Sequence, residues 1–512
     1  MNYKLQFCLN YFLYVCICLQ CIFHPTIENI YACTSIGLGW YLINKKIATE
    51  INLIQYPLVT LILYSFALFY FYTAVPVTLF EGKPVTFNLE CPFLTFTLQF
   101  VYLLLLITAF IFFVKTNFFV VFQKIFNGVG LYYKPSTTEI WILAFIGLLS
   151  FLFSNGQTTI EAENRSSIDR LLEGFIFLTY LPFVFISVPY GWNQIDSNKK
   201  WKIFAFCYFI ILFIFAVMTN RRHAIFGYLI APILLWIIKV VRNGTLKTAK
   251  ISFFKSLGLL IVVFLIFGPL TDFCLAMSVL RAKTSEIGGM QLLQETYEVY
   301  KDKSLLEQQY RFFSSDQIDF NSIGYTEYYV NNILFNRFCN MKPIDNYIKY
   351  MTKVDWFAGD SFMKEKFIDN VIYLIPSPII KYFDASYNKF VDARHGFHDY
   401  LINRATHTEG GGYRVGGDVG IGFATMGILF IPFVIIFYAF VFSIVQSFCE
   451  YKTSFLSAFA VCQIFEIFYL LQSNHGFVDE ISLLFRIWPQ QLLLIIIVIK
   501  IIRIMNLNNN EY

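Results

Sequence analysis

Long apolar runs alternate with short polar connections along most of the chain, a pattern typical of helical membrane proteins. A run of about twenty apolar residues is long enough to cross the hydrocarbon core of a bilayer as an α-helix. Such runs fall near residues 5–23, 27–43, 51–75, 93–114, 138–154, 171–190, 201–219, 223–241, 253–275, 419–445, 455–472 and 482–502. The pattern therefore predicts an all-α polytopic membrane protein with about twelve transmembrane helices.

One long polar segment interrupts this pattern, at residues 281–418. It contains amphipathic stretches typical of helices, Gln291–Phe313 and Glu327–Met351, and prolines that break them. A segment of this size can bury a modest core or lie against the membrane as a cap. We therefore divide the chain into a bundle over 1–280, a large, partly helical loop over 281–418, and a second bundle over 419–512.

The distribution of lysine and arginine predicts the orientation in the membrane, because cytoplasmic loops are enriched in both residues. With the N-terminus inside, the short outer loops hold only five basic residues: Lys83, Arg165, Arg170, Arg221 and Arg222. The inside set holds seventeen: Lys4, Lys45, Lys46, Lys115, Lys124, Lys134, Lys199, Lys200, Lys202, Lys239, Arg242, Lys247, Lys250, Lys255, Lys452, Lys500 and Arg503. This bias predicts cytoplasmic termini and an extracytoplasmic loop at 281–418.

The composition excludes a soluble fold. Hydrophobic residues make up 57% of the chain and charged residues 14%, against about 25% charged in an ordinary soluble domain. The 11 cysteines are scattered without metal-ligand spacing. The chain contains no Walker loop, GxSxG, HExxH or DxD motif. We therefore expect no metal, no cofactor and no nucleic-acid partner.

The first candidate site is the tight hairpin Asn220–His223 between two predicted spans. Arg221 and Arg222 are adjacent there, on the predicted outer side, where arginine is disfavoured in short loops. Each guanidinium can donate two parallel hydrogen bonds, which suits a phosphate or diphosphate. The hairpin indicates an anion-binding site, and anchoring to lipid headgroups is the alternative.

The second candidate is a pair of charges predicted inside the bilayer, Glu466 and Arg486. Both fall near the outer ends of their spans. A lone charge costs about 2.5–3.5 kcal/mol near the centre of a spanning helix and less toward its end. We expect the two to pair with each other, or Arg486 to face an outward-open cavity that holds an anionic ligand.

The third candidate is the end of the large loop, where His395, His398 and His407 lie within thirteen residues. A neutral imidazole can accept a hydroxyl proton near pH 7, so a histidine here is predicted to act as a general base. Two alternatives are a metal site, although the spacing matches no familiar motif, and ordinary surface histidines of an exposed loop.

The fourth candidate is the glycine-rich run Gly410–Gly422 that leads into the tenth predicted span. Glycines permit close backbone approach and positive φ, so the run is expected to set Arg414 and Asp418 at the membrane surface. The run does not follow a clear strand, and a nucleotide-binding fingerprint is therefore not indicated.

The chain resembles the bacterial O-antigen polymerase and O-antigen ligase superfamily of membrane glycosyltransferases. Arg221-Arg222 is similar to the arginine pair that precedes a spanning helix in these proteins. His398-Asp399-Tyr400-Leu401 is similar to the His-polar-aromatic-Leu element of their periplasmic loop. In the ligases a Gly-rich helix entry follows that element closely, whereas here the corresponding glycines (Gly420, Gly422 and Gly427) come some twenty residues after His398.

The resemblance implies a lipid-linked donor, usually an undecaprenyl diphosphate oligosaccharide, and metal-independent transfer on the periplasmic face of the inner membrane. Membrane lipids, a flippase and a chain-length regulator are the partners it suggests. His398 would be the base. The diphosphate would be bound by the arginine candidates: Arg221, Arg222, Arg337, Arg414 and Arg486.

Four functions stay open at this point. We favour a polymerase of oligosaccharide repeat units, because the close ligase spacing after His398 is missing. An O-antigen ligase differs in its acceptor and not in its fold. A flippase or exporter predicts two comparable halves and charges along a central path, and an acyltransferase would need a histidine deep in the bundle.

Overall fold

The structure is a computed structural model. It describes residues 3–154, 171–189, 191–192, 195, 198–219, 222–242, 269–280, 289–314, 325–339, 341–375, 380, 382–383, 396–408, 414, 416–451, 453, 455–472 and 476–509. Within these residues the chain is helical and contains no β-strand, apart from an isolated bridge between Cys449 and Leu456. The predicted all-α fold is confirmed.

The first part of the chain forms ten labelled helices within the described ranges: α1 (Tyr3–Phe23), α2 (Ile27–Lys46), α3 (Glu50–Gln55), α4 (Pro57–Phe80), α5 (Pro92–Thr116), α6 (Phe119–Val129), α7 (Thr137–Ser154), α8 (Leu171–Ile186), α9 (Lys199–Met218) and α10 (Arg222–Arg242). Helix α4 contains a π-helical turn at Leu68–Tyr72, and α8 contains a 3-10 turn at Ile176–Tyr180.

The second part continues with shorter helices and then with long ones: α11 (Pro269–Val279), α12 (Gly289–Lys301), α13 (Lys303–Ser314), α14 (Ile333–Phe338), α15 (Met341–Met351), α16 (Ser361–Tyr373), α17 (Phe397–Thr406), α18 (Asp418–Gln446), α19 (Ala458–Cys462), α20 (Ile464–Tyr469) and α21 (Phe477–Ile504). The predicted helical content of the large loop is confirmed, because α12 to α17 all lie within it.

Six helices in the described ranges are long and apolar enough to cross a membrane: α4, α5, α9, α18, α21 and, from His223 to Val241, α10. The protein is therefore a helical membrane protein. Several other predicted spans form shorter or broken apolar helices, among them α7, α8 and the α19–α20 pair. The ninth predicted span, 253–275, falls mostly outside the described residues.

Helix α5 shows how the local sequence produces a span. It begins with Pro92 at its first position, where the missing N–H has no intrahelical partner to lose. It then continues without a charged residue until Lys115 in the last turn, where a cation complements the helix dipole. The helix ends at Asn117, which adopts a left-handed conformation with φ of 49°.

One end of the bundle, which we call the capped end, is covered by the described residues of the 325–418 segment. Asn331 and Asn332 donate their backbone N–H groups to the carboxylate of Glu81, at 2.7 and 2.9 Å. Tyr329 donates its hydroxyl to the carbonyl of Val85, and Thr73 donates to the carbonyl of Phe338 at 2.6 Å. The large segment is thus attached to the α4–α5 connection, and it shares one hydrophobic core with the bundle.

An ionic cluster ties α15 to the start of α5. Asp345, which is fully buried, accepts the backbone N–H of Glu90 at 2.7 Å and that of Cys91 at 2.9 Å, and the Thr95 hydroxyl at 2.9 Å. The buried ammonium of Lys342 lies 3.5 Å from Asp345 and 3.6 Å from Glu90. Burial alone would raise the pKa of Glu90, but the neighbouring Lys349 and Lys342 lower it below its usual value.

At the opposite end, a second set of connections packs together. Gln123 donates to the carbonyl of Cys449 at 2.7 Å, and Trp192 donates to that of Leu456 at 2.9 Å. The guanidinium of Arg503 lies over the ring of Tyr133 at 3.9 Å. These connections are the ones that the distribution of lysine and arginine assigns to the cytoplasmic side. In the structure they meet at one end of the bundle.

The burial along α18 locates the edge of the lipid-facing belt at the capped end. The residues from Asp418 to Thr425 are all buried, whereas Ile428 and Leu429 are exposed apolar residues. The stretch from Gly427 to Gln446 is about 30 Å long at 1.5 Å per residue, which matches the hydrocarbon core. The hydrocarbon boundary therefore falls near Gly427. The helix is interrupted there, with φ of 61° at Gly427, and its first turns, Asp418–Met426, fold back beside the later ones, because Tyr438 donates its hydroxyl to Asp418 at 2.9 Å.

Candidate functional site

His398 lies in the protein interior and not on an exposed loop. Helix α17 starts after Gly396, and its first six residues are buried. The imidazole is 1% exposed and packs edge-on against the ring of Tyr347, with centroids 4.9 Å apart. Burial and the charge of Asp399 hold the pKa of Tyr347 well above its usual range, so a neutral phenol faces the imidazole. For His398 the alternative of a surface histidine is wrong.

Glycines bring the backbone into contact with this imidazole. A Cβ on Gly416 would stand 2.3 Å from Cδ2 of His398 and 2.4 Å from Cδ2 of Tyr347, closer than any side chain allows. Gly476 has φ of +79°, and a Cβ there would stand 3.5 Å both from Nε2 of His398 and from Oδ1 of Asp418. At Gly416 the absence of a side chain permits this close approach, because His398 occupies the space that a Cβ would need.

Arg414 is held by the residue that follows His398. Its Nη1 lies 3.6 Å from Oδ1 of the fully buried Asp399, and its backbone N–H reaches the same oxygen at 3.5 Å. The guanidinium also stacks over the ring of Tyr325, 5.6 Å from its centroid. Burial raises the pKa of Tyr325 well above its usual range. The guanidinium thus compensates a buried carboxylate at the base of α17.

Below His398 lies a network of carboxylates and phenols. Asp418 accepts hydrogen bonds from the hydroxyls of Tyr102 at 2.6 Å and Tyr438 at 2.9 Å, and from the backbone N–H of Phe477. Tyr102 also lies 2.9 Å from the Tyr438 oxygen. The buried carboxyl of Glu480 contacts the same Tyr438 hydroxyl, and its Oε2 has no hydrogen-bond partner within the described residues. The network has only two phenolic protons to donate, from Tyr102 and Tyr438, but three groups that accept: the two carboxyls and a phenol oxygen. Every hydrogen bond in it can form only when one carboxyl keeps its own proton.

The charge pair predicted from the sequence, Glu466 with Arg486, does not form. Glu466 accepts a hydrogen bond from Nε2 of His223 at 3.0 Å, and the imidazole of His223 packs on the ring of Phe465 at 4.9 Å. Glu466 therefore pairs with His223 and not with Arg486. Arg486 lies half-buried in the π-helical turn Leu483–Ile487 of α21 and forms no ion pair within the described residues.

The remaining predicted site residues are placed only in part. Arg222 begins α10 and Arg337 lies in α14. The rings of Phe226 and Phe338 pack edge-on with centroids 5.9 Å apart, so these two helices meet at the capped end. The side chains of Arg222 and Arg337, and all of Arg221 and His395, lie outside the described residues. His407 is exposed at the end of α17, with φ of 54°.

Several residues of the site had no distinguishing signal in the sequence. Tyr347 and Tyr325 come from the amphipathic stretches of the large loop, and Tyr102 and Tyr438 from apolar spans rich in aromatic residues. Glu480 alone had a signal, since an acidic residue at the edge of a spanning helix is costly unless it is protonated or paired.

The described residues place groups that exchange protons next to one another. The imidazole of His398 lies beside the Asp418 network, which is satisfied when it keeps a carboxyl proton. The start of α10, with Arg222, and the end of α14, with Arg337, meet at the same end of the bundle. No clustering of potential metal ligands occurs within the described ranges. Comparison with models of protein families, with curated proteins and with solved structures finds no match to this chain.

Proposed function

We propose that this protein is a membrane glycosyltransferase that polymerises oligosaccharide repeat units carried on a lipid diphosphate, usually undecaprenyl diphosphate. In this proposal the chain crosses the bacterial inner membrane about twelve times, both termini are cytoplasmic, and residues 281–418 lie on the periplasmic face. The main supporting observation is the burial of His398 between the large segment and the glycine-rich start of α18.

The proposed reaction joins an acceptor sugar hydroxyl to the anomeric carbon of the donor. The hydroxyl oxygen attacks that carbon, the bond from the carbon to the phosphate oxygen breaks, and the diphosphate leaves with the electron pair. His398 takes the hydroxyl proton as general base. Arg221 and Arg222, together with Arg337 or Arg486, stabilise the charge that develops on the diphosphate.

Arg414 has a different role in this proposal from the one expected from its sequence position. Its guanidinium faces the buried carboxylate of Asp399, so its charge is already compensated within the protein. We assign it as a positioning residue that holds the start of α17, and with it the imidazole of His398. Removing the charge would leave Asp399 buried without its cation, which costs about 3–5 kcal/mol.

A ligase that transfers the glycan to a lipid or protein acceptor is the second candidate. The longer spacer after His398 argued against it, yet Gly416 still contacts the imidazole. The spacer therefore does not prevent the histidine and the glycine-rich entry from meeting. A flippase or exporter, which is not an enzyme, is the third candidate.

The test uses cells whose own gene is deleted and replaced by variants. His398→Asn keeps a polar side chain in the buried site, and His407→Asn is the matched control, because asparagine tolerates the positive φ of that exposed position. We expect His398→Asn and Arg222→Ala to give a single capped repeat unit in place of a polysaccharide ladder at normal protein level. Unaltered ladders in both variants would refute the mechanism.

The deletion itself separates the three candidates. A single repeat unit on the final acceptor indicates a polymerase. Lipid-linked polymer that never reaches the final acceptor indicates a ligase. Repeat units retained on the cytoplasmic side, with no glycan at the surface, indicate a flippase.

A further inference from the structure

Helix α16, in the large segment, has an apolar stripe on its outer surface. Ile368, Val371, Ile372 and Ile375 are exposed, and Ile368 is 57% exposed. Their spacing of three, four and seven residues places them on one side of a helix, continuing just beyond its last turn. A stripe of four exposed aliphatic residues is unusual on a surface that faces water.

The stripe is not the core-facing side of the helix. That side is formed by Met363, which is fully buried, and by Phe367. The ring of Phe367 packs against Phe397 at 6.3 Å and against Phe477 at 5.6 Å. Helix α16 therefore has two apolar sides, one packed on α17 and the start of α21, and the other facing outward.

The chain before α16 is bound to α18 at the hydrocarbon boundary. Ile428 donates its backbone N–H to the carbonyl of Phe357 at 3.0 Å, and Asp360 donates to the carbonyl of Ala424 at 2.8 Å. Phe357 is 64% exposed beside the exposed Ile428 and Leu429. The outward surface of the large segment is therefore continuous with the lipid-facing surface of α18.

The charged residues of α16 are compatible with this position. Lys366 pairs with Asp369 at 2.8 Å on the flank of the helix, away from the stripe. Lys364, which lies within the stripe at its N-terminal end, donates its ammonium to the carbonyl of Ala358 at 2.9 Å. Lys364 and the exposed Glu365 both lie at the N-terminal end of the stripe, where long side chains can place their charged groups among the lipid headgroups while their stems lie along apolar neighbours.

We propose that α16 and the Trp356-Phe357 turn lie in the interface of the bilayer, with Ile368, Val371, Ile372 and Ile375 inserted among the lipid acyl chains. The large segment is then a membrane-embedded cap and not a water-surrounded domain. Because Phe367 packs beside Phe397, the residue before His398, insertion of α16 also fixes the position of α17 along the membrane normal. This inference does not depend on the proposed reaction.

The test measures the environment of a nitroxide label in the full chain reconstituted in lipid nanodiscs. The exposed native thiols (Cys8, Cys18 and Cys207) are first replaced by serine. Single cysteines are then placed at the stripe by Ile372→Cys and Ile368→Cys, at the flank by Asp369→Cys, and at a lipid-facing position of α18 by Ile428→Cys. The replaced side chains are exposed, or half-buried at Asp369, so the fold is retained.

Dissolved oxygen partitions into lipid, whereas a water-soluble nickel chelate does not. We expect the ratio of oxygen to nickel accessibility at 372 and 368 to match that at 428 and to exceed that at 369 severalfold. Three outcomes would overturn the proposal. The first is a nickel accessibility at 372 equal to that at 369. The second is exclusion of both reagents from 372, which indicates a protein partner, and the third is dipolar broadening between labels, which indicates a second copy of this chain.

Discussion

The attachment of the large segment to the bundle depends on Asp345, whose replacement is the sharpest test of the packing. Its carboxylate accepts the backbone N–H groups of Glu90 and Cys91 and the Thr95 hydroxyl. These groups belong to the start of α5, where Cys91 as N-cap supplies no side-chain hydrogen bond of its own. Asp345 thus caps a helix that lies about 250 residues away in sequence, and it faces the positive end of the helix dipole.

The loss of stability expected for Asp345→Ala follows from the burial of the groups that the carboxylate now pairs with. Lys342 is only 1% exposed and would keep only the half-exposed Glu90 as counter-ion. Breaking a buried ion pair by removing one partner costs about 3–5 kcal/mol. Asp345→Asn keeps one acceptor oxygen and the side-chain volume, so we expect it to cost less, on the order of 1–3 kcal/mol.

Hydrogen exchange measured by mass spectrometry reports this change locally, because α15 can open from α5 without global unfolding. For Asp345→Ala the opening equilibrium of the amides in 341–351 should rise by roughly two to three powers of ten, since each 1.4 kcal/mol is about tenfold. The control is Asp355→Ala, which removes a similar hydrogen bond to the backbone N–H of Ala358 at an exposed position.

A double variant distinguishes the buried charge from the lost cap. If the cost arises mainly from the uncompensated ammonium, Lys342→Met together with Asp345→Asn should be less damaging than the sum of the two single changes. The expected coupling is about 0.5–3 kcal/mol. Exchange of 341–351 in Asp345→Ala that is indistinguishable from the Asp355→Ala control would refute the reasoning.

Three further predictions concern the site and its surroundings. Glu480→Gln should leave the thermal unfolding midpoint in detergent nearly unchanged, because the buried network already requires one protonated carboxyl, whereas Asp418→Ala should lower it clearly; equal losses would contradict the proton count. Gly416→Ala should cost about 1–3 kcal/mol through overpacking and should abolish polymer formation, while Gly128→Ala, which meets no atom within 4 Å, should do neither. In the folded protein the pKa of Glu90 lies below its usual value of 4.5, so the ionised carboxylate stabilises the fold fully above that pH, and the contribution is lost as the pH falls through the folded pKa. Glu90→Gln should therefore weaken the dependence of the free energy of unfolding on pH in the acid range, and an unchanged dependence would contradict the assignment.

The local sequence was sufficient to predict the spanning helices that the structure shows, because lipid selects for apolar composition over a fixed length. Helix α6 was missed for the same reason. It has 11 residues, too few to cross the membrane, and its apolar side chains at Val121 and Ile125 are exposed. A search for spans does not detect a short amphipathic helix.

The sequence by itself determined that this is a helical membrane protein and which connections share an end of the bundle. It also predicted a histidine base at the end of the large loop, and the resemblance implied His398 among the three histidines there. The tertiary structure decided that His398 is buried, that Tyr347 and Gly416 enclose it, and that Glu466 pairs with His223. The physical reason is the range of the interactions. Hydropathy and charge bias act on consecutive residues, whereas contacts such as that of Tyr102 with Asp418 join positions 316 residues apart and arise only when the whole bundle packs.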